Sequence, residues 1–208
     1  VRVSAPDLDR AEKFLDEFGL KVAARQGDTI YLRGCAPYPP CYVLTQGVSG
    51  VTAIAFEADE VADLEKIAAL DGSSSIEALE GPGGGQVVKL EDPMGMEVEI
   101  VYGQASLEAV EGAVPHRFNM DGERHREGEL PAVQRAPSHV KRLGHLVLES
   151  ADPRSVYHWY HQHFGLRKTD EVQLPEGDAV MIFSSLDLGS EFVDHHVVGF
   201  QLAVDEGT

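Results

Sequence analysis

The side chains in this sequence best suited to chemistry are imidazoles. His145 follows Gly144 at the start of the apolar run LVLES, and His195 and His196 open the run VVGFQLAV. A neutral imidazole binds divalent transition metals, and near neutral pH it also takes up and returns protons. At a strand start the same ring can simply hydrogen-bond a neighbouring turn. Strand alternation puts His145, Val147 and Glu149 on one face and Leu146 and Leu148 on the other. His195 and His196 are adjacent, so on one strand they point to opposite faces and only one can enter a cavity. His158, His161 and His163 fall in a helical stretch, where the spacing of His158 and His161 could place two ligands on one face. The Gly-rich run GPGGG at 81–85 precedes a strand and lacks a following Gly-Lys-Ser/Thr, so it predicts a hairpin turn and no phosphate cradle. His116 and His125 lack partner spacing and carry no assigned role.

An internal repeat supplies the elements that would position these residues. VRVSAPDLDRAEKFLDEFGLKV near the start and LVLESADPRSVYHWYHQHFGLRK later both read as strand, Pro/Asp break and amphipathic helix. Phe18-Gly19-Leu20 aligns with Phe164-Gly165-Leu166 at an offset of 146 residues. Gly19 and Gly165 fit the residue that ends each helix. At the same offset Ala11, Phe14, Leu15 and Phe18 fall on Tyr157, Tyr160, His161 and Phe164, which predicts one apolar stripe on each helix. His161 then replaces Leu15 and is expected to pack partly buried. His158 and His163 align with Glu12 and Glu17 and are expected in solvent.

Between the copies, VTAIAFEADEVADLEKIAAL again predicts a strand and a helix, followed by a hairpin of QVVKLED and MEVEIVYG. Each unit is thus a strand, a helix and two or three strands. Unit one spans Val1 to Gln46, unit two Gly50 to Gly103, and unit three starts near Arg142. Residues 104–141 show Pro, Gly and charge without periodicity and predict a connector. Two units before it and one behind it suggest a missing fourth. The sequence also opens on Val1 rather than methionine, so residues are expected upstream.

The 208 residues carry 35 acidic against 17 basic side chains, a formal charge of −18. Such a surface repels phosphate backbones and anionic lipid, which argues against nucleic-acid or membrane partners. No apolar stretch reaches the length of a membrane span. Cys35 and Cys41 match no common zinc or redox spacing, and we read them as reduced cytoplasmic thiols.

The ordered set RLGHLVLESADP, WYHQHFGLRKTDEV, DHHVVGF and LEDPMGMEVEI, with the connector run FNMDGERHREG, resembles the vicinal oxygen chelate superfamily. Within it the chain is similar to two-module type I extradiol (catechol-cleaving) dioxygenases, over essentially its whole length. The resemblance implies an α+β fold of paired βαβββ modules forming open barrels. Residues 1–103 would be a metal-free module, 104–141 the connector, and 142–208 the truncated start of a catalytic module. It implies His145 as a metal ligand, with the other ligands, a His and a Glu, beyond Thr208. Fe(II) is the implied metal, with Mn(II) or another divalent ion as alternatives, and two imidazoles and a carboxylate would leave room for a catechol and O2.

The family pattern of His, any residue, apolar, small, apolar matches HVVGF. It favours His196 as the inward acid–base residue and His195 as the outward one. Val147, Val198 and Phe200 are expected to line the cavity. Ala53 stands where unit two would hold a ligand His, and Glu99 occupies a ligand-type position that reads as a polar residue at a strand edge. The implied partners are a small aromatic diol and O2, with a homo-oligomer expected. Two rival readings remain open: a glyoxalase- or epimerase-type divalent-metal enzyme, which lacks the imidazole of His196, and a metal-free binding protein of the bleomycin-resistance type.

Overall fold

A computed structural model describes residues 1–112, 119–125, 128 and 138–204; His116 lies outside them. Unit one folds as β1 (Arg2–Ala5), α1 (Leu8–Phe18), β2 (Lys21–Gln26), β3 (Thr29–Arg33) and β4 (Tyr42–Gln46). Unit two folds as β5 (Gly50–Glu57), α2 (Val61–Ala68), β6 (Glu77–Ala78), β7 (Gln86–Glu91) and β8 (Glu97–Tyr102). Unit three folds as β9 (Leu146–Ser150), α3 (Pro153–Phe164), β10 (Arg167–Gln173), β11 (Ala179–Ser185) and β12 (Val198–Leu202).

The first two units share an eight-stranded sheet of order β2-β3-β4-β1-β5-β8-β7-β6, joined where β1 runs antiparallel to β5. Unit three forms its own sheet of order β10-β11-β12-β9, the arrangement of unit one repeated strand for strand. The GPGGG turn closes the β6–β7 hairpin, as its composition predicts.

Local chemistry explains the helix boundaries. Asp7 caps α1 by accepting from Arg10 N, and Asp152 caps α3 by accepting from Ser155 N, with Pro153 opening the first turn. Gly19 and Gly165 end the two helices with positive φ. Gly19 is constrained twice, because at φ 115° a Cβ would also sit 1.8 Å from the Ser138 carbonyl oxygen. The last described part of the connector thus runs directly over the α1 terminus. It is tied down further by Cys35 N donating to Val140 O at 2.7 Å. Cys35 and Cys41 are both free.

The helical stripes differ from the pattern prediction. On α1, Leu8 and Leu15 are buried, but Phe14 and Phe18 are 62% and 56% exposed. On α3, Val156, Tyr157 and Tyr160 are buried, because this helix packs against unit two as well as its own sheet. Tyr160 meets Phe56 and Phe200, and its hydroxyl donates to Asp92 Oδ2 at 2.9 Å. Asp92 also accepts from Met94 N and Met96 N through Oδ1, so one carboxylate holds the β7–β8 turn and receives the helix. The buried stripe of α3 therefore turns away from His161. That residue is exposed rather than partly buried, with Nδ1 2.8 Å from Leu166 O. His163, expected in solvent, is half-buried and stacks on Trp159 at 4.3 Å.

Behind α3, Glu171 of β10 accepts from Lys168, from Arg154 at 2.6 Å and from Gln173 at 3.0 Å. These donors, Lys168 foremost, hold its carboxyl down at about 2. A depressed carboxylate contributes stability above its ordinary value of 4.5 and loses it as pH falls through about 2. Glu171→Gln is therefore expected to flatten the acid limb of the stability curve between about pH 5 and about pH 2, followed by circular dichroism.

Candidate active site

His145 lies immediately before β9, and His195 and His196 precede β12, the strand that pairs in parallel with β9. This pairing brings the imidazoles of His145 and His196 to 4.5 Å between ring centres, although they are far apart in sequence. Phe183 of β11 stands 5.0 Å from His196 and 6.2 Å from His195. His196 is half-buried, and His145 and His195 are exposed.

The two neighbouring histidines do not point to opposite faces. They occupy a bend before the ladder begins at Val198, and their Nδ1 atoms lie 3.1 Å apart. Alternation governs only extended backbone. The bend forms where Asp194 meets Arg142 in a two-pronged ion pair of 2.8 and 2.9 Å, across 52 residues of sequence. This bridge ties the start of β9 to the segment leading into β12, the two places that carry His145 and His196. Sequence reasoning missed it, because neither residue carries a local signal for a partner so distant.

Arg142 holds the Asp194 carboxyl below the usual range. Loss of solvent, and then the adjoining His145 and His195 rings, lower the His196 pKa from 6.5. His196 is accordingly neutral at neutral pH and free to accept a proton.

Strand register decides what else surrounds these rings. Val147 pairs with Gly199, and Gly199 with Phe183, so these three share the sheet face that lies away from α3. Val147 is 45% exposed there. The Met181 methyl lies over Gly199, 2.6 Å from where a Cβ would stand, and occupies the space the glycine leaves. Met181, Phe183 and Val147 thus form the apolar floor beside the histidines. Val198 and Phe200, expected in the cavity, instead face α3 and are 1% and 0% exposed. Their even position in the ladder puts them on the core side with Leu146 and Leu148.

The first module serves as an internal comparison. Glu99 is not at a strand edge: β8 lies between β5 and β7, and Glu99 is 3% exposed. Its charge is met by Arg2 Nε at 2.7 Å and Lys89 Nζ at 4.0 Å, as a buried carboxylate requires. Ala53 and Ala55 face the same side and offer no donor atoms. The hollow beside Arg2, Tyr31 and Glu99 measures about 50 Å³. Ligand pockets span roughly 300–1,000 Å³, so this hollow does not admit an aromatic substrate.

Among the described residues, no group of three or more His, Cys, Asp or Glu could hold a metal ion. His145 can offer one imidazole, and the described residues do not complete a donor set around it. No helix among them is long and apolar enough to cross a membrane.

No protein-family model matches the sequence, and no curated protein matches it. Solved structures do share its fold. A Mn(II)-bound glyoxalase from Novosphingobium aromaticivorans superposes with a TM-score of 0.70 at 17% identity, over 98% of this chain and 60% of its own. Homoprotocatechuate 2,3-dioxygenase from Brevibacterium fuscum, complexed with 3,4-dihydroxyphenylacetate, gives 0.68 at 24% identity, over 97% of this chain and 58% of its own. The Arthrobacter globiformis enzyme of the same name gives 0.68 at 21%, with the same coverage. The chain therefore spans less than two thirds of the length of these structures.

Proposed function

From the vicinal oxygen chelate fold that this chain adopts, we propose that it belongs to an enzyme that opens catecholic rings beside one hydroxyl, using a divalent metal and O2. The observation that carries this reading is the 4.5 Å approach of His145 and His196 above an apolar floor. His145 would give one imidazole to the metal, Fe(II) in the first instance and Mn(II) as the alternative. The described residues do not close the donor set, so further donors must join it. When bound, the metal supplies Lewis acidity toward the catechol hydroxyls and toward O2.

The chain's own residues have separate tasks. His196 accepts a proton from the substrate hydroxyl, because loss of solvent and the adjoining imidazoles favour its neutral form, and an imidazole can return the proton later in the reaction. Asp194, fixed by Arg142, holds the bend that presents His196. Phe183, Met181 and Val147 exclude water beneath an aromatic ring. His195 lies exposed on the bend, its Nδ1 3.1 Å from that of His196.

The test uses full-length protein loaded with Fe(II) without oxygen, mixed with a panel of catechols and then exposed to air. The yellow absorbance of ring-opened product is expected with at least one of them. Flat traces across the panel, from protein shown to carry iron, would refute the proposal. Turnover of a glutathione hemithioacetal by the same preparation would favour the glyoxalase-type reading.

A further inference from the structure

The floor beside His145 and His196 has a chemical character of its own. Two residues of extended strand rise about 6.6 Å, so Val147 lies roughly one benzene ring along the chain from His145. In register with it stand Gly199 of β12 and Phe183 of β11. One step further along the same face is Met181, whose methyl fills the space over Gly199. A six-membered ring with its hydroxyls at His145 would therefore project its remaining carbons over this floor.

The charges of unit three point the same way. Residues 142–208 contain four Lys and Arg against eleven Asp and Glu. Each of the four cations already has a carboxylate. Arg142 meets Asp194 at 2.8 Å, Arg167 meets Asp187 at 3.3 Å, and Arg154 and Lys168 both meet Glu171. Two further carboxylates stand on the floor's own face. Glu149 lies two residues beyond Val147, with Gln201 Nε2 at 3.4 Å, and Asp170 is the cross-strand partner of Phe183. Both are exposed. An anionic group laid on this face would lose water and meet like charge.

Resting on the ring-opening reading, we propose that the catechol taken at this site carries an uncharged, apolar substituent, an alkyl or aryl group, and that Val147, Met181 and Phe183 select it. Covering the floor with such a group is favourable in proportion to the apolar area removed from water. Phe183 and Met181 also offer an aromatic ring and a polarizable sulfur, both of which suit a second aromatic ring. The class disfavoured is the catechol with a carboxylate side arm, since no cation of unit three is free to receive it.

The test titrates full-length protein, loaded with Fe(II) and kept without oxygen, with a matched pair of ligands. One is 4-ethylcatechol, the other the catechol with a carboxymethyl group at the same position, and calorimetry reads both Kd values without turnover. 4-Ethylcatechol is expected to bind at least about tenfold tighter, because the carboxylate loses water at the floor and gains no cation. Val147→Lys supplies one at a position open to solvent, and should shift the ratio of the two Kd values toward the carboxymethyl ligand by about tenfold. Val147→Met, which adds no charge, should keep the wild-type order. Equal affinities, tighter binding of the carboxymethyl ligand, or a ratio unmoved by Val147→Lys would overturn this inference and leave the ring-opening reading standing. Binding of neither ligand, by protein shown to carry iron, would overturn both.

Discussion

Tyr160→Ala is expected to lower the stability of this chain by about 3–5 kcal/mol, the cost of emptying a large aromatic site in a core. Tyr160 is fully buried and lies between Phe56 of unit two and Phe200 of unit three, with Trp159 and Phe164 beside it. A loss of that size is a large part of the roughly 5–15 kcal/mol that holds a folded domain together. Tyr160→Phe keeps the ring and deletes only the hydroxyl. It leaves the buried Asp92 short of a donor, so about 1–3 kcal/mol is expected. Asp92→Ala should cost more than Tyr160→Phe, because Met94 N and Met96 N lose their acceptor in the same step. Urea unfolding followed by the single tryptophan, Trp159, reads all three variants at the seam, since its ring lies 5.0 Å from Tyr160. Equal losses for Tyr160→Phe and Tyr160→Ala would show that the ring does not bridge the two units.

The second large effect separates the two central histidines by task. Under the proposed function, His196→Ala is expected to lower kcat by about 10²–10⁴, the usual contribution of a positioned acid–base group, with metal content unchanged. His145→Ala should remove metal and activity together. The pH profile distinguishes a proton-transfer role from a structural one. The pKa of His196 is lowered from 6.5, first by loss of solvent and then by the neighbouring imidazoles, so the acid limb of kcat/KM should fall below pH 6.5. The His196→Ala variant should lose that limb. Parallel loss of metal in both variants would assign His196 to the ligand set and refute the division.

Much of this architecture was legible in the sequence. The repeat in unit three, the Pro/Asp breaks before α1 and α3, the glycines ending both helices, and the hairpins around GPGGG and DPMG all follow from local rules, and each is present. The pairing of β9 with β12, which brings His145 to His196, follows once the units are recognised as copies. Sequence order placed both residues at the start of adjacent strands without fixing the direction of either ring.

What the sequence alone determined is the set of elements and their order, because caps, turns and apolar periodicity act over a few residues. Tertiary structure decided which face met which neighbour. Phe14 and Phe18 match Tyr160 and Phe164 in register, yet only the latter pair is covered, since periodicity defines a face but not what lies against it. Val198 and Phe200 went to the core because β12 took its phase from β9 and β11. The His195–His196 bend, set by an ion pair across 52 residues, and the Arg2–Glu99 pair, across 97, depend on contacts that form only when distant segments meet. Local chemistry built the strands and helices; long-range charge and packing aimed the side chains.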